Sequence, residues 1–95
     1  MYGLKDSLLR EIVALARKYN LSSVTLFGSR ARGDYRERSD IDLAVSGGDF
    51  DRFALDVDEE TSTLLMFDII NLDGPVQPEL LENIRREGRT LYAKV

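Results

Sequence analysis

Hydrophobic and polar positions repeat along the chain with two different periods, and the change of period predicts a fold of mixed helices and strands. Between Leu4 and Tyr19 the apolar residues recur at helical spacing, so this segment is predicted to be an amphipathic helix. Later apolar runs are short, as expected for strands of a sheet. The predicted strands are 23–27, 41–46, 65–72 and, at an edge, 90–95.

The segments between these strands predict three further helices. Gly28-Ser29 can begin a short helical turn, residues 50–63 follow a capping aspartate, and Pro78 suits the first position of a helix that runs to Glu87. Helices and strands therefore alternate along the chain. This order predicts an α/β (α+β) fold in which helices flank a single mixed β-sheet, with residues 1–95 as one domain.

Composition narrows the class of protein. A chain of 95 residues with 43% hydrophobic and 32% charged residues is typical of an ordinary folded domain, and no apolar run reaches membrane-spanning length. The N-terminus lacks the pattern of a signal peptide, so a cytoplasmic location is expected. A single domain of this size has no room for a separate substrate domain, so another molecule must hold any large substrate.

The net charge of −4 argues against extensive nucleic-acid binding, although the charges are distributed unevenly. Residues 30–38 carry four arginines, whereas residues 49–60 carry six acidic side chains. We interpret the acidic segment as a solvated helix face.

A pair of carboxylates, Asp40 and Asp42, opens the apolar strand 41–46. Aspartate is depleted from strands, and the two side chains would project from one face, roughly 7 Å apart, where their charges repel. A divalent cation would resolve this conflict. Because the chain has no cysteine or histidine, the ligands would all be oxygens, which favours magnesium or manganese. For Asp40 alone, a turn or cap at the start of the strand is the alternative interpretation.

Upstream of this pair, the predicted strand 23–27 runs directly into Gly28-Ser29 and a helical turn. Such a junction presents a hydroxyl and backbone N–H groups to an anion, so it is a candidate phosphate site. Taken alone, Gly28-Ser29 favours an ordinary helix entry, and only its coupling to Asp40 and Asp42 favours a phosphate site. Arg30 and Arg32 are either phosphate ligands or solvated helix residues.

Asp68 is a third acid within an apolar run, and it would share a face with Asp40 and Asp42 if its strand pairs in the right register. The alternatives are a register that turns it outward or an ion pair with an arginine. Asp73 competes for the same role, but it stands beside Gly74-Pro75, where a turn function is expected.

The string from Phe27 to Gly33, FGSRARG, followed by SDIDL at residues 39–43, resembles the signature of the DNA polymerase β-like nucleotidyltransferase superfamily. The match is closest to its minimal nucleotidyltransferase (MNT) branch, and it continues through the ending IRREGRTLY at residues 84–92. This resemblance implies the polymerase β-like nucleotidyltransferase fold.

The resemblance also implies an activity, in which a nucleoside monophosphate passes from a nucleoside triphosphate to an acceptor hydroxyl and pyrophosphate is released. It implies that Asp40, Asp42 and Asp68 are the catalytic and metal-binding residues for two Mg²⁺ ions, with Mn²⁺ as a substitute, and that ATP is the substrate. The implied nucleotide and phosphate ligands are Gly28, Ser29, Arg30 and Arg32.

Members of the MNT branch pair with helical proteins of the HEPN type. The resemblance therefore implies a partner of this kind and transfer of AMP to a hydroxyl of that partner, with this chain as the antitoxin of a toxin–antitoxin pair, as part of a homo- or hetero-oligomer. Two alternatives remain at this point. One is a binding module that neutralises its partner by occlusion, and the other is an enzyme that modifies a small-molecule hydroxyl with a separate substrate-binding subunit.

Overall fold

A four-stranded mixed sheet forms the centre of the computed structural model, which describes all 95 residues. The strands are β1 (Ser23–Phe27), β2 (Ile41–Ser46), β3 (Phe67–Asn71) and β4 (Arg89–Ala93), arranged in the order β3-β2-β1-β4. β1 is antiparallel to β2 and β4, whereas β2 and β3 are parallel. The helices are α1 (Asp6–Lys18), α2 (Gly28–Arg32), α3 (Phe50–Glu60) and α4 (Pro78–Glu87). None of the helices combines the length and apolarity needed to cross a membrane.

The predicted elements all occur in the predicted order, which confirms the fold class of a mixed sheet flanked by helices. Their boundaries differ by a few residues. Helix α3 ends at Glu60 because Thr61 adopts an extended conformation with ψ 151°. The third strand begins at Phe67 because Leu65 and Met66 lie outside the sheet ladder.

The apolar composition of residues 65–72 predicts a buried third strand, and this prediction is wrong. β3 is an outer strand that pairs with β2 alone, and none of its five residues is buried. Its apolar residues are only partly covered, and Asp68 is exposed. An apolar run does not distinguish a central strand from an outer one, because a helix on one face is enough to retain hydrophobic side chains.

Alternation along β2 separates the two faces of the sheet. Ile41, Leu43 and Val45 are fully buried in the main core, to which α1 and α3 contribute. Ala44 points to the opposite face, where it packs in a smaller cluster with Phe27 and Ile84 of α4. Because Asp42 has the same parity as Ala44, its carboxylate also lies on the α4 face, outside the main core.

Candidate active site

Asp42 and Asp68 are paired residues in the parallel strands β2 and β3. Paired residues on neighbouring strands project from the same face, and the strands lie about 4.8 Å apart. Asp40 precedes Asp42 by two positions, immediately before β2 begins, so the chain direction places it near the same face. The structure therefore brings the three acids predicted from the sequence to one edge region of one sheet face.

The electrostatics of Asp42 reflect this arrangement. The pKa of Asp42 is raised from its usual value to about 6, first because burial penalises the charged form and then because the charges of Asp68 and Asp40 repel it. The positive charges of Arg32 and Arg30 oppose the rise without cancelling it. The protein alone thus leaves this cluster with negative charge that is not neutralised.

The donor set fits a hard divalent cation by its chemistry, since all three side chains are carboxylates. The three carboxylates do not converge on a common point, and no group of three acidic residues lies close enough together to coordinate one ion. Asp42 has its carboxylate turned against Gly28, while Asp40 and Asp68 are exposed. Closing the group around a cation therefore requires the exposed side chains of Asp40 and Asp68 to move.

Gly28 is where the phosphate candidate segment meets the carboxylates. Its φ of +74° lies in the left-handed region, and a Cβ atom at this position would overlap Oδ2 of Asp42. The positive φ therefore favours glycine at this position, and any side chain here would displace the carboxylate of Asp42. Gly28 and Asp42 lie far apart in the sequence. The antiparallel pairing of Phe27 with Asp42 makes them neighbours in the fold.

Ser29 follows in the first turn of α2, where it is half-buried. The short helix ends at Gly33, which has φ +96° and donates its N–H to the carbonyl oxygen of Ser29 at 2.9 Å. The predicted junction of strand, small-residue turn and helix is therefore present, and it lies beside Asp42.

Arg30 does not present its guanidinium group to this surface. The residue is only 1% exposed, and its side chain donates to backbone carbonyl oxygens at distances of 2.9 to 3.4 Å. The accepting carbonyls belong to Tyr2, Gly3, Glu37 and Ser39. The Arg30 side chain also stacks over the ring of Tyr35 at 5.0 Å.

The expectation that Arg30 is a phosphate ligand is therefore contradicted by its contacts. All of its donor nitrogens are engaged, so Arg30 joins the N-terminal segment and the loop before β2 to helix α2. The residue pattern gave no sign of this role, because a buried arginine and a solvated one look alike in sequence. Arg30 still influences Asp42 through its charge.

Arg32 remains accessible. Its side chain is 45% exposed and forms ion pairs with Asp34 at 3.3 Å and with Glu87 of α4 at 2.8 Å. Its charge lowers the pKa of Asp42, so it acts on the carboxylate cluster. Of the two candidate arginines, Arg32 is the one that can turn towards an anion. Glu87, which orients Arg32, was not identified from the sequence.

Asp73 lies at the other end of β3 from Asp68. One of its carboxylate oxygens accepts the N–H of Gly47 at 2.6 Å, just beyond the end of β2. Its own N–H donates to the side-chain oxygen of Asn71 at 3.0 Å. Asp73 therefore has the turn function expected from its neighbours, and Asp68 is the later acid that lies beside Asp42.

Comparisons with known proteins agree with this fold. Residues 10–95 match the family described as Polymerase beta, Nucleotidyltransferase. A relative from Methanocaldococcus jannaschii, named "putative protein adenylyltransferase", is 36% identical over 102 residues, which cover 93% of this chain and 98% of the relative. A solved structure described as a "putative minimal nucleotidyltransferase" is 30% identical with a TM-score of 0.66, covering 85% of this chain and 86% of that one.

Two further solved structures resemble this chain in fold. One is described as a toxin–antitoxin with AMP-PNP, with a TM-score of 0.74 and 23% identity. The other is a mutant of the toxin–antitoxin MntA-HpeT, with a TM-score of 0.71 and 21% identity. In both cases the likeness covers 90% of this chain and 73% of the other.

The fold and the family match define an enzyme of the nucleotidyltransferase class. The chain belongs to the Polymerase beta, Nucleotidyltransferase family, and it is similar to minimal nucleotidyltransferases.

Proposed function

We propose that this chain is a Mg²⁺-dependent nucleotidyltransferase that transfers AMP from ATP to a hydroxyl group of a partner protein. The observation that carries the proposal is the pairing of Asp42 with Asp68, with Asp40 two residues away. Three carboxylates on one sheet face are costly without a cation, as the raised pKa of Asp42 indicates. The relative named as a protein adenylyltransferase supports a protein acceptor.

In this mechanism Asp40, Asp42 and Asp68 would hold two magnesium ions, which would neutralise charge on the triphosphate and lower the pKa of the acceptor hydroxyl. The acceptor oxygen forms a bond to the α-phosphorus. The bond from that phosphorus to the bridging oxygen breaks, and pyrophosphate leaves with the electron pair. The proton of the hydroxyl passes to the carboxylate of Asp68, and no histidine is needed.

Other residues position the nucleotide. The backbone N–H groups of α2 and the hydroxyl of Ser29 bind the terminal phosphates, close to Asp42 because Gly28 has no side chain. Arg32 neutralises the charge that develops on pyrophosphate. Arg30 is a positioning residue, since it holds the backbone immediately before Asp40 through the carbonyl of Ser39.

The partner is a helical protein of the HEPN type, and modification of its hydroxyl makes this chain an antitoxin. The likeness to solved toxin–antitoxin structures, one of them with the ATP analogue AMP-PNP, supports this assignment. A cytoplasmic location follows from a partner and a nucleotide of this kind.

The test is transfer of label from ATP carrying ³²P at the α-phosphate to the protein encoded by the adjacent gene, in the presence of Mg²⁺. We expect label on the partner with the natural chain and less than a hundredth of that rate with Asp42→Asn or Asp68→Asn. Asp73→Asn is the matched control, because Asp73 is an exposed aspartate at the far end of β3. It should keep nearly the full rate.

Two outcomes would contradict the proposal. Absence of label from the partner would contradict transfer of AMP to this partner. Full neutralisation of the partner by Asp42→Asn would instead establish occlusion, because that variant keeps the surface of the protein and loses the carboxylate.

A further inference from the structure

The outer edge of β3 is unpaired. The N–H of Ile41 donates to the carbonyl of Met66 at 2.9 Å, and the N–H of Leu72 donates to the carbonyl of Val45 at 2.8 Å, which fixes which backbone groups of β3 face β2. Backbone groups of a strand point alternately to its two sides. The residues whose N–H and C=O groups point away from the sheet are therefore Phe67, Ile69 and Asn71.

These outward groups have few partners within the chain. The carbonyl of Asn71 accepts the N–H of Gly74 at 3.2 Å, and no bond outside the sheet ladder engages the N–H groups of Phe67, Ile69 or Asn71. β3 also contains no lysine, arginine or proline. These residues are common devices that stop an edge from pairing with another strand.

The opposite edge of the sheet is protected. β4 begins with Arg89 and is followed by Lys94, and its pairing with β1 is irregular between Val24 and Thr25. Charges and irregular pairing discourage addition of a further strand. The sheet therefore has one edge that is closed to strand addition and one that is open.

The open edge adjoins the carboxylates. A strand added beside β3 would lie about 4.8 Å from it, and its residue opposite Asp68 would project from the same face as Asp68 and Asp42. A hydroxyl side chain at that position would meet the cluster from the side away from β2. No other strand of this chain pairs with β3 on that side.

The surroundings indicate the chemistry of the added segment. Helix α3 contacts β3, and its exposed acids outnumber its single arginine, so a basic segment is complementary in charge. A second copy of this chain would instead bring a second set of carboxylates to the same edge, where like charges repel. The exposed acids of α3 are Asp51, Asp58, Glu59 and Glu60.

An apolar recess lies at the start of this edge. Leu64 is fully exposed and Met66 is 64% exposed, although both are hydrophobic. With Leu65, Glu37 and Arg38 they line a cavity of about 530 Å³. An extended segment that pairs with β3 would continue past this cavity, where an apolar side chain of the segment can be buried.

We propose that the outer edge of β3 is the docking edge for an extended, basic segment of the acceptor protein, which adds as a fifth strand and brings its hydroxyl residue opposite Asp68. This inference rests on the proposed function for the identity of the segment as an acceptor. The docking itself is independent of nucleotide and metal, so it can be tested without catalysis.

The experiment is amide hydrogen exchange, measured by NMR on the full chain with and without the protein encoded by the adjacent gene, in the absence of nucleotide. We expect exchange at Phe67, Ile69 and Asn71 to slow at least tenfold in the complex. Amides at the outer edge of β4 serve as the internal control and should keep their rates. Absence of a complex, or a complex without slowing at β3, would overturn the proposal.

Two further outcomes separate the possibilities. Slowing at β3 that depends on the concentration of this chain alone would identify a second copy as the occupant and would overturn the proposal. Label transfer from ATP to the partner without slowing at β3 would overturn the docking edge and leave the proposed function intact. Slowing at β3 without label transfer would support the docking edge and contradict the proposed transfer to this partner.

A variant pair tests the apolar recess without risk to the fold. Leu64→Ser changes a side chain that is fully exposed, and Val95→Ser makes the same kind of change beyond the opposite edge of the sheet, also at a fully exposed side chain. By calorimetry we expect Leu64→Ser to weaken partner binding at least tenfold, while Val95→Ser leaves it within twofold. Equal affinities for the two variants would contradict the role of the recess.

Discussion

Asp42 and Asp68 face each other across the parallel pair β2 and β3, with their carboxylates on the α4 face of the sheet. Each additional negative charge in this region makes ionisation of Asp42 harder, and the pKa of Asp42 is raised to about 6 by burial, Asp68 and Asp40 in that order. Ionised Asp42 therefore lowers the free energy of unfolding. The size of this effect depends on pH and on any cation that neutralises the cluster.

The first prediction concerns stability against pH in the absence of divalent metal. Because the pKa of Asp42 is higher in the folded chain than in the unfolded one, the folded state binds more protons between the two values. The contribution of Asp42 to the free energy of unfolding is therefore most favourable below about pH 4 and declines as the pH rises to about 6. Above that pH the contribution stays constant.

Thermal unfolding of Asp42→Asn beside the natural chain isolates this contribution. At pH 7.5 without metal we expect the variant to melt a few degrees higher, since it removes a charge that the fold disfavours. Adding Mg²⁺ should raise the melting temperature of the natural chain more than that of the variant. A variant that melts lower at pH 7.5, with no dependence on pH, would contradict the account.

A second prediction compares two glycines that both have positive φ. Gly28→Ala introduces backbone strain and a clash with Oδ2 of Asp42, whereas Gly33→Ala introduces the strain alone, because nothing lies within 4 Å of its Cβ position. We expect Gly33→Ala to lower the free energy of unfolding by roughly 1–2 kcal/mol and to retain transfer activity.

Gly28→Ala should lower stability by at least as much and also reduce the transfer rate more than tenfold, because the methyl group displaces the carboxylate of Asp42. Urea denaturation and the labelling assay on both variants measure the two effects separately. Equal activities of the two variants would show that the contact between Gly28 and Asp42 does not matter for the site.

The apolar pattern predicted the strands and the first helix, and capping, glycine and proline residues predicted the other three helices. The pairing of Asp42 with Asp68 needed the register of β3, which depends on tertiary contacts between strands far apart in sequence. The outer position of β3 and the burial of Arg30 could not be predicted either. Both depend on which elements pack beside them, and an apolar strand or a lone arginine is compatible with either environment.

The third prediction addresses Arg30 as a positioning residue. Its guanidinium group satisfies carbonyls of the N-terminal segment and of the loop before β2, and lysine cannot reach all of them with one ammonium group. Arg30→Lys should therefore destabilise the chain by about 2–4 kcal/mol, measured by urea denaturation.

A purely structural role for Arg30 would change stability alone. We expect in addition that Arg30→Lys, assayed at a temperature where it is fully folded, has a kcat at least tenfold lower with little change in the KM for ATP. This split follows if Arg30 sets the backbone before Asp40 and does not contact the phosphates. A selective rise in KM would instead place the Arg30 side chain on the nucleotide.

The last prediction concerns the charge of Arg32, which lowers the pKa of Asp42. Removing that charge should raise the pKa of Asp42 above about 6, because the remaining carboxylates then repel it with less compensation. The measurement is a titration of the Asp42 side-chain carbon signal by NMR in metal-free buffer, with the natural chain, Arg32→Gln and Arg32→Lys. Arg32→Gln should shift the midpoint upwards, whereas Arg32→Lys keeps the charge and should leave the midpoint near the natural value.

An unchanged midpoint in Arg32→Gln would contradict this prediction. It would mean that Asp34 and Glu87, through their ion pairs with Arg32, already neutralise its charge as Asp42 experiences it. In that case Arg32 would have to leave Glu87 before it could neutralise pyrophosphate, and Glu87→Gln should then increase the transfer rate.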